Sequence, residues 1–354
     1  MSAPARQLTF VGALAEALDL CMARDPRVFV LGLGAPDAAA VFGSTQGLAD
    51  KYGPRRVLDM PVSENGMTGV AIGAALRGMR PVMTHIRLEF AMLAIDPIVN
   101  QAAKWHYMFG GQASVPLVIR MVVGRGWGQG PQHSQSLQAW FAHVPGLKVV
   151  MPATPHDAKG LLISAIEDDN PVVFIEHRWL YSIHGPVPEG IYRVPLGRPS
   201  VLRRGRHVTV VATSYMTLEA SRAADELARE GLELEIVDVH TLNPFNDGPV
   251  RESVRKTGRL IVADAGWRSV GFAAEVVARV VEQNLGDLAE PPVRITLPDL
   301  PTPTTRALSN YYYPLGRDIA AAARRLAGRP PKPEPEIKPE AFLDVPDATF
   351  SGPF

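Results

Sequence analysis

Cysteine is almost absent from this chain of 354 residues, which contains only Cys21. A single thiol excludes an intrachain disulfide, a cysteine metal cluster and a redox pair. Excess charge is absent too: 36 basic residues balance 36 acidic ones, whereas proteins that bind nucleic acid or membrane surfaces usually carry a basic excess. No apolar run approaches the roughly 20 residues that span a bilayer, and residues 1–7 lack a signal-peptide core. We therefore expect a cytoplasmic protein without nucleic-acid or membrane partners.

The chain alternates between strand-like and helix-like patterns in two successive series. Its length alone favours two domains. The first series occupies residues 1–190 and the second residues 207–328. Because continuous apolar strands between helices are typical of a buried parallel sheet, each domain is predicted to be a three-layer α/β structure whose mainly parallel sheet is flanked by helices. Residues 191–206 are predicted to be a linker. The proline-rich residues 329–354 are expected to be an extended tail, packed on a surface or disordered.

Glu64 follows a strand-like run and opens a helical pattern over residues 63–77. A carboxyl group at that point would be directed into the crevice at the strand's carboxyl end. The simpler explanation is a first-turn glutamate favoured by the helix dipole, with Ser63 as N-cap. Gly66 and Gly69 favour a binding site, because small residues let a ligand approach the helix closely. Spacing alone leaves both interpretations open.

Phe90 and His133 are two further candidates. Phe90 stands directly before a run, residues 91–107, whose pattern predicts one helix, so it could be an ordinary core residue. Its neighbours His85 and Arg87 are unusual for a core and typical of a pocket wall at a strand's end. His133 follows a glycine-rich run, residues 124–132. It is either a solvated loop histidine or a residue that its polar neighbours orient for proton transfer.

Several runs together resemble the beta subunit of the thiamine diphosphate-dependent decarboxylase (E1) component of 2-oxoacid dehydrogenase complexes. The resemblance covers about residues 7–328 and implies two transketolase-type domains, the first of which binds the pyrimidine of the cofactor. The runs that carry it are Arg56-Val-Leu-Asp-Met-Pro-Val-Ser-Glu64, Ile95-Asp-Pro-Ile-Val-Asn100, Tyr107-Met-Phe-Gly-Gly-Gln112, His133-Ser-Gln-Ser136, Thr241-Leu-Asn-Pro244 and Lys256-Thr-Gly-Arg259.

The resemblance assigns roles to all three candidates. The glutamate matching Glu64 hydrogen-bonds the aminopyrimidine ring of thiamine diphosphate and activates the cofactor. The aromatic residue matching Phe90 stacks on that ring, and the histidine matching His133 takes part in transfer to the acceptor. The family also binds potassium through main-chain carbonyl groups, here those of Leu117, Ala165, Asp168 and Asn170.

The Gly-Asp-Gly motif with which such enzymes bind the diphosphate and magnesium does not occur in this sequence. Similar beta subunits lack it because an alpha subunit supplies it. The resemblance therefore implies an alpha partner, an assembly of two alpha and two beta chains, and a cofactor site shared between chains. A lipoyl acyltransferase core is a further expected partner.

The implied reaction is cleavage of a carbon–carbon bond next to a carbonyl in a 2-oxoacid or acetoin, with acyl transfer to lipoyl. The sequence departs from the family pattern at Thr84-His-Ile-Arg87 and at Pro97. His85 and Arg87 leave an alternative open, a thiamine diphosphate-dependent carboligase or transketolase-like half enzyme with a non-lipoyl acceptor. A subunit that only organises a complex is a third hypothesis, and the joint presence of Glu64, Phe90 and His133 counts against it.

Overall fold

The computed structural model describes residues 6–37, 40–125, 128–333, 337, 343 and 345. Among these residues the chain forms two compact units, one from 6–124 with 140–196 and the other from 125–139 with the residues after 196. The segment 125–139, which contains His133, thus groups with the second unit. The predicted boundaries had assigned this segment to the first domain.

The strands are β1 (Gln7–Thr9), β2 (Val28–Gly32), β3 (Val57–Leu58), β4 (Arg80–His85), β5 (Val118–Val123), β6 (Lys148–Val150), β7 (Val172–His177), β8 (His184–Pro186), β9 (Ser200–Arg203), β10 (Val208–Ala212), β11 (Leu234–Asp238), β12 (Thr241–Asn243), β13 (Leu260–Trp267) and β14 (Val293–Leu297). The helices are α1 (Phe10–Arg24), α2 (Leu48–Tyr52), α3 (Glu64–Leu76), α4 (Leu88–Ala91), α5 (Trp105–Met108), α6 (Gln138–Ala142), α7 (Pro155–Glu167), α8 (Tyr215–Ala228), α9 (Gly248–Thr257), α10 (Phe272–Asn284), α11 (Arg306–Ser309) and α12 (Gly316–Leu326).

The first unit is built on a parallel sheet with strand order β6-β7-β5-β4-β2-β3. Its central strands β5 and β7 are buried along their whole length, as their mainly apolar sequences predict. Helices α1 and α7 pack against each other, and both begin at threonine N-caps. Thr9 accepts a hydrogen bond from the Gly12 amide at 3.0 Å, and Thr154 accepts one from the Asp157 amide at 3.1 Å.

The second unit contains a five-stranded sheet with the order β14-β13-β10-β11-β9. All neighbours are parallel except the edge strand β9, which runs antiparallel to β11. Residues Ser200–Arg203 lie in the predicted linker, so this part of the prediction is wrong. The segment forms a strand because the edge of β11 offers unpaired backbone groups, a tertiary contact that local composition does not encode. The α/β class with mainly parallel sheets is confirmed.

The single helix predicted over residues 91–107 is also wrong, because the structure breaks it into short pieces. Helix α4 is followed by a 3₁₀ turn at Met92–Ala94, a π-helical segment at Pro97–Ala102 and helix α5. Pro97 contributes to the break, since proline has no amide hydrogen to donate to the carbonyl one turn earlier. Pro97 itself is buried at the first position of the π-helical segment, where the missing donor costs least.

In the described part of the chain, no helix is both long and apolar enough to cross a membrane. Most of the predicted tail lies outside the described residues. Where it is described, the tail contacts the second unit: Lys332 forms ion pairs with Glu226 and Glu230, and the Leu343 amide donates to Asn310 Oδ1 at 3.2 Å.

Candidate functional site

Glu64 is the first residue of α3, and its side chain is only 4 % exposed. The N-cap residue Ser63 makes no side-chain capping bond. Among the described residues nothing hydrogen-bonds the buried oxygen Oε2 of Glu64. A buried polar atom without a partner is costly, and where a native structure keeps one it calls for an explanation such as a ligand. The position at the start of α3 agrees with the sequence, and the open oxygen favours a binding role over simple capping.

His85, on β4, lies at the same level along the sheet as Glu64, and we call the residues at this level the layer. Thr68, one turn after Glu64, donates to Met83 Sδ at 3.3 Å, which fixes the contact between α3 and β4. Because α3 crosses between parallel strands it runs antiparallel to β4, so the step from Thr68 back to Glu64 points the same way as the step from Met83 to His85. Glu64 and His85 thus project from facing elements at the carboxyl end of β4.

The His85 imidazole is 3 % exposed, and its Nε2 has no hydrogen-bond partner among the described residues. Burial lowers the pKa of His85 to about 4, so the ring is neutral at physiological pH. A neutral imidazole offers one donor and one acceptor. The layer therefore holds two buried polar atoms, Glu64 Oε2 and His85 Nε2, that have no partner among the described residues and are open to a hydrogen bond with a ligand.

Phe90 lies on the short helix α4, just beyond the end of β4, and is half-buried. Its backbone amide donates to the Arg87 carbonyl at 3.2 Å. Arg87, which the sequence suggested as a pocket residue, is 2 % exposed. It donates to the Gly124 carbonyl and lies 5.7 Å from the centre of the Phe42 ring. Arg87 thus fixes the segment that carries Phe90 to the end of β5.

The end of β7 contributes a second buried histidine beside Arg87. His177 is 3 % exposed, and burial together with the Arg87 charge lowers its pKa to about 3. A Cβ atom at Gly124 would lie 2.7 Å from His177 Cε1, and Gly124 has φ +91°, so only glycine fits there. The sequence analysis placed Gly124 in the glycine-rich run before His133 and did not identify His177.

A buried ion pair inside the sheet was missed by the sequence analysis. Arg120 on β5 and Glu176 on β7 are both completely buried and form two hydrogen bonds of 2.6 and 2.9 Å. The Tyr181 hydroxyl donates to Glu176 Oε2 at 2.5 Å. Alternating positions in adjacent strands were the available signal, but the parallel register that pairs them appears only in the sheet.

His133 belongs to the second unit, where it is partly buried in a loop. Its amide donates to the Gly130 carbonyl at 3.2 Å, which makes a tight turn of residues 130–133. Residues 126 and 127 of the predicted glycine-rich loop lie outside the described residues. Glu64 and Phe90 lie in the first unit, at the same end of its sheet. His133 lies in the second unit.

The four residues expected to offer carbonyl groups to potassium meet in one corner of the first unit. Asp168 ends α7 and donates to the Ala165 carbonyl at 3.3 Å, the Asn170 amide donates to Asp168 Oδ1 at 2.9 Å, and the Leu117 carbonyl accepts from Val172 at 2.9 Å. The Arg80 guanidinium donates to the Asp168 carbonyl at 3.1 Å. Because a carbonyl oxygen has two lone pairs, these bonds leave acceptor capacity for a cation.

The chain matches two family models along most of its length. The transketolase pyrimidine-binding domain matches residues 6–183, and the transketolase C-terminal domain matches residues 197–319. Among solved structures, a split-gene transketolase described as an inactive beta4 tetramer is similar, with a TM-score of 0.74 and 25 % identity over 91 % of this chain and 98 % of that one. The fold is therefore that of the transketolase class.

Curated relatives define the family more closely. The beta subunit of acetoin:2,6-dichlorophenolindophenol oxidoreductase from Cupriavidus necator is 45 % identical over 91 % of this chain and 98 % of its own length. The mitochondrial pyruvate dehydrogenase E1 component subunit beta-2 from Oryza sativa subsp. japonica is 42 % identical over 93 % of this chain and 88 % of its own length. The pyruvate dehydrogenase E1 component subunit beta from Rickettsia felis is 39 % identical over 90 % and 98 %. The chain belongs to this family of E1-type beta subunits, which confirms the predicted family and enzyme class.

Proposed function

We propose that this chain is the beta subunit of a thiamine diphosphate-dependent dehydrogenase that cleaves a 2-oxoacid or acetoin and acts together with an alpha subunit. The observation that carries the proposal is the buried, unpartnered Oε2 of Glu64 at the start of α3. That position matches the family's cofactor-activating glutamate. The relatives named above are oxidoreductase beta subunits, and none of them supports the alternative of a carboligase.

Thiamine diphosphate supplies the electron sink for breaking a bond next to a carbonyl. Glu64 would hold the aminopyrimidine ring by a hydrogen bond at Oε2, and the buried setting would strengthen that bond because the local dielectric is low. Phe90 would offer its ring face to the same heterocycle. These two residues would orient the cofactor, and the burial of Glu64 would keep water away from the carboxyl group.

The acceptor we propose is a lipoyl disulfide. Transfer would form a bond from the acyl carbon to one sulfur while the sulfur–sulfur bond breaks, so the carbon would lose the two electrons that reduce the disulfide. The bond that holds the acyl carbon to the cofactor would then break, and its electron pair would return to the cofactor. The other sulfur leaves as a thiolate and takes a proton, which we assign to His133. A histidine suits this role because its imidazole ring can both accept and donate a proton.

An alpha subunit and an α2β2 assembly are part of the proposal. The first unit exposes several large apolar side chains, which single chains usually bury against partners: Val62, Val70, Leu93, Tyr107 and Met108 are 59–88 % exposed. Val70 lies on α3, two turns beyond Glu64. A partner that covers this helix would complete the surroundings of the cofactor and supply the diphosphate and magnesium site.

The corner at Asp168 is proposed to bind potassium. If it does, the assembled enzyme should unfold at a higher temperature in potassium chloride than in choline chloride of equal ionic strength, since ligand binding to the folded state stabilises it. Equal unfolding temperatures would remove potassium from the proposal and leave the rest intact. The cytoplasmic location and an acyltransferase core also stay proposals.

Co-expression of the chain with its alpha subunit tests the central proposal. The assembled wild type should release carbon dioxide from pyruvate or cleave acetoin, in both cases only with thiamine diphosphate. Glu64→Gln should lower the rate about 100-fold or more, the range known for a lost proton-transfer group. Product analysis with and without a lipoyl domain identifies the acceptor. A fully active Glu64→Gln enzyme would refute the assignment.

A further inference from the structure

The His133 loop, residues 128–137, is fastened to the second unit at several points along its length. A Cβ atom at Gly130 would lie 2.4 Å from Thr304 Oγ1, so the backbone of the loop touches residue 304 directly. Four residues further on, the buried Thr302 hydroxyl donates to the Ser134 carbonyl at 3.4 Å. His133 lies between these two contacts. Its backbone position therefore depends on the segment 302–304.

The strongest attachment is the side chain that follows the loop. Gln138, the first residue of α6, donates from Nε2 to Asp264 Oδ1 at 2.8 Å. Both residues are 0 % exposed. Thr213 also donates to the same oxygen at 3.2 Å. A buried carboxylate that accepts two donors from different segments fixes the direction of each donor, which an apolar contact of the same size does not do.

Burying the Asp264 carboxyl group costs free energy, because it removes the group from water. It lies inside β13, and desolvation raises its pKa above the ordinary value, although the donors oppose that shift. A chain gains little stability from such a charge, because well-packed apolar residues would serve as well. The gain is geometric: the amide of Gln138 reaches Asp264 in one orientation only, and that orientation sets where the loop ends, five residues after His133.

We infer that Gln138 and Asp264 are positioning residues, which hold His133 for acyl transfer to the acceptor without touching the reacting atoms. The inference rests on the proposed function, since it assigns His133 to transfer. The second unit, whose remaining residues have no assigned part in the reaction, would then control the second half of the catalytic cycle through this buried pair.

The test compares two rates in the enzyme co-expressed with its alpha subunit: acyl transfer to a lipoyl domain and reduction of the dye 2,6-dichlorophenolindophenol, both from the same substrate. The quantity compared is the ratio of the rate of acyl transfer to the rate of dye reduction. His133→Ala shows how far this ratio falls when His133 is lost. Gln138→Leu removes the amide at similar volume and should lower that ratio about tenfold, the change in rate for roughly 1.4 kcal/mol. The control Thr209→Val breaks two other buried bonds of this unit, to Ser253 and Thr257 at 2.7 Å each, and should leave the ratio unchanged.

A double variant separates positioning from general damage. Gln138→Glu with Asp264→Asn restores an amide–carboxylate pair with the two groups exchanged, and it should recover most of the ratio even if Gln138→Leu folds poorly. The inference is overturned if the double variant folds but stays defective, or if Gln138→Leu transfers normally while His133→Ala does not. It is also overturned if His133→Ala transfers normally. An assembled wild type that reduces no dye and releases no carbon dioxide contradicts the proposed function itself.

Discussion

Two glutamates of the first unit are buried almost equally but differ in their surroundings. Glu176 is 0 % exposed, and both of its oxygens are occupied by Arg120 and Tyr181. Glu64 is 4 % exposed, and its Oε2 has no hydrogen-bond partner among the described residues. Burial alone therefore does not mark a functional carboxyl group. What distinguishes Glu64 is the capacity it keeps for a group from outside the chain.

The largest expected difference concerns the free energy of unfolding. Glu176→Gln leaves the Arg120 charge buried without its partner and should destabilise the assembled enzyme by about 3–5 kcal/mol. Glu64→Gln breaks no such pair and should leave stability nearly unchanged while activity is lost. Urea unfolding of both variants measures the difference. Comparable losses of stability would show that Glu64 is a structural residue as well.

A matched control for this prediction is an exposed ion pair. Glu275 and Arg279 lie 2.6 Å apart with side chains 52 % and 38 % exposed. Glu275→Gln should change the free energy of unfolding by less than about 1 kcal/mol, since solvent screens such pairs. A large effect of Glu275→Gln would show that the Glu176 result does not depend on burial.

A second prediction concerns His85, the open group in the same layer as Glu64. Its pKa of about 4 lies below the ordinary 6.5, so the unfolded chain binds more protons between these values and stability falls as the pH drops from 6.5 towards 4. The fall amounts to about 3 kcal/mol, from 1.36 kcal/mol per unit of pKa. His85→Phe should remove this part of the pH dependence. An unchanged unfolding profile between pH 7.5 and 5 would contradict the burial of a neutral imidazole.

Val70 tests whether the open side of the first unit faces a partner. Its side chain is 59 % exposed on α3, so Val70→Arg should fold normally. A charge introduced into an interface should reduce co-purification with the alpha subunit, and size-exclusion chromatography measures the loss. Leu285→Arg, at a similarly exposed site after α10, is the comparison and should retain assembly. Equal losses for both variants would remove the assignment of this surface.

The smallest expected effect comes from the contact that aligns the layer. Thr68→Val removes the bond to Met83 Sδ but keeps the volume of the side chain. We expect a loss of about 0.5–1 kcal/mol in stability and a decline in thiamine diphosphate affinity that is small beside that of Glu64→Gln. Isothermal titration with the cofactor checks it. If Thr68→Val bound the cofactor as weakly as Glu64→Gln, the role we assign to Glu64 would be too narrow.

Local sequence determined the regular elements and the identity of the candidate residues. Thr154 before Pro155 is typical of a helix start, where α7 begins, and the apolar run at residues 116–120 is typical of a buried strand and overlaps β5. Both signals are local, because caps and continuous apolar strands depend on neighbouring residues only. The joint matches around Glu64 and His133 determined the family. The assignment of the three site residues to particular roles stays a prediction.

Tertiary structure decided everything that depends on partners distant in sequence. Ser200–Arg203 became a strand because β11 offered an edge, and residues 125–139 joined the second unit because Thr304 and Asp264 hold them there. It also decided that both oxygens of Glu176 accept hydrogen bonds, whereas Glu64 Oε2 has no partner among the described residues. The two glutamates are equivalent as residue types, and only the three-dimensional arrangement of donors around each carboxyl group determines which one is free to meet a ligand.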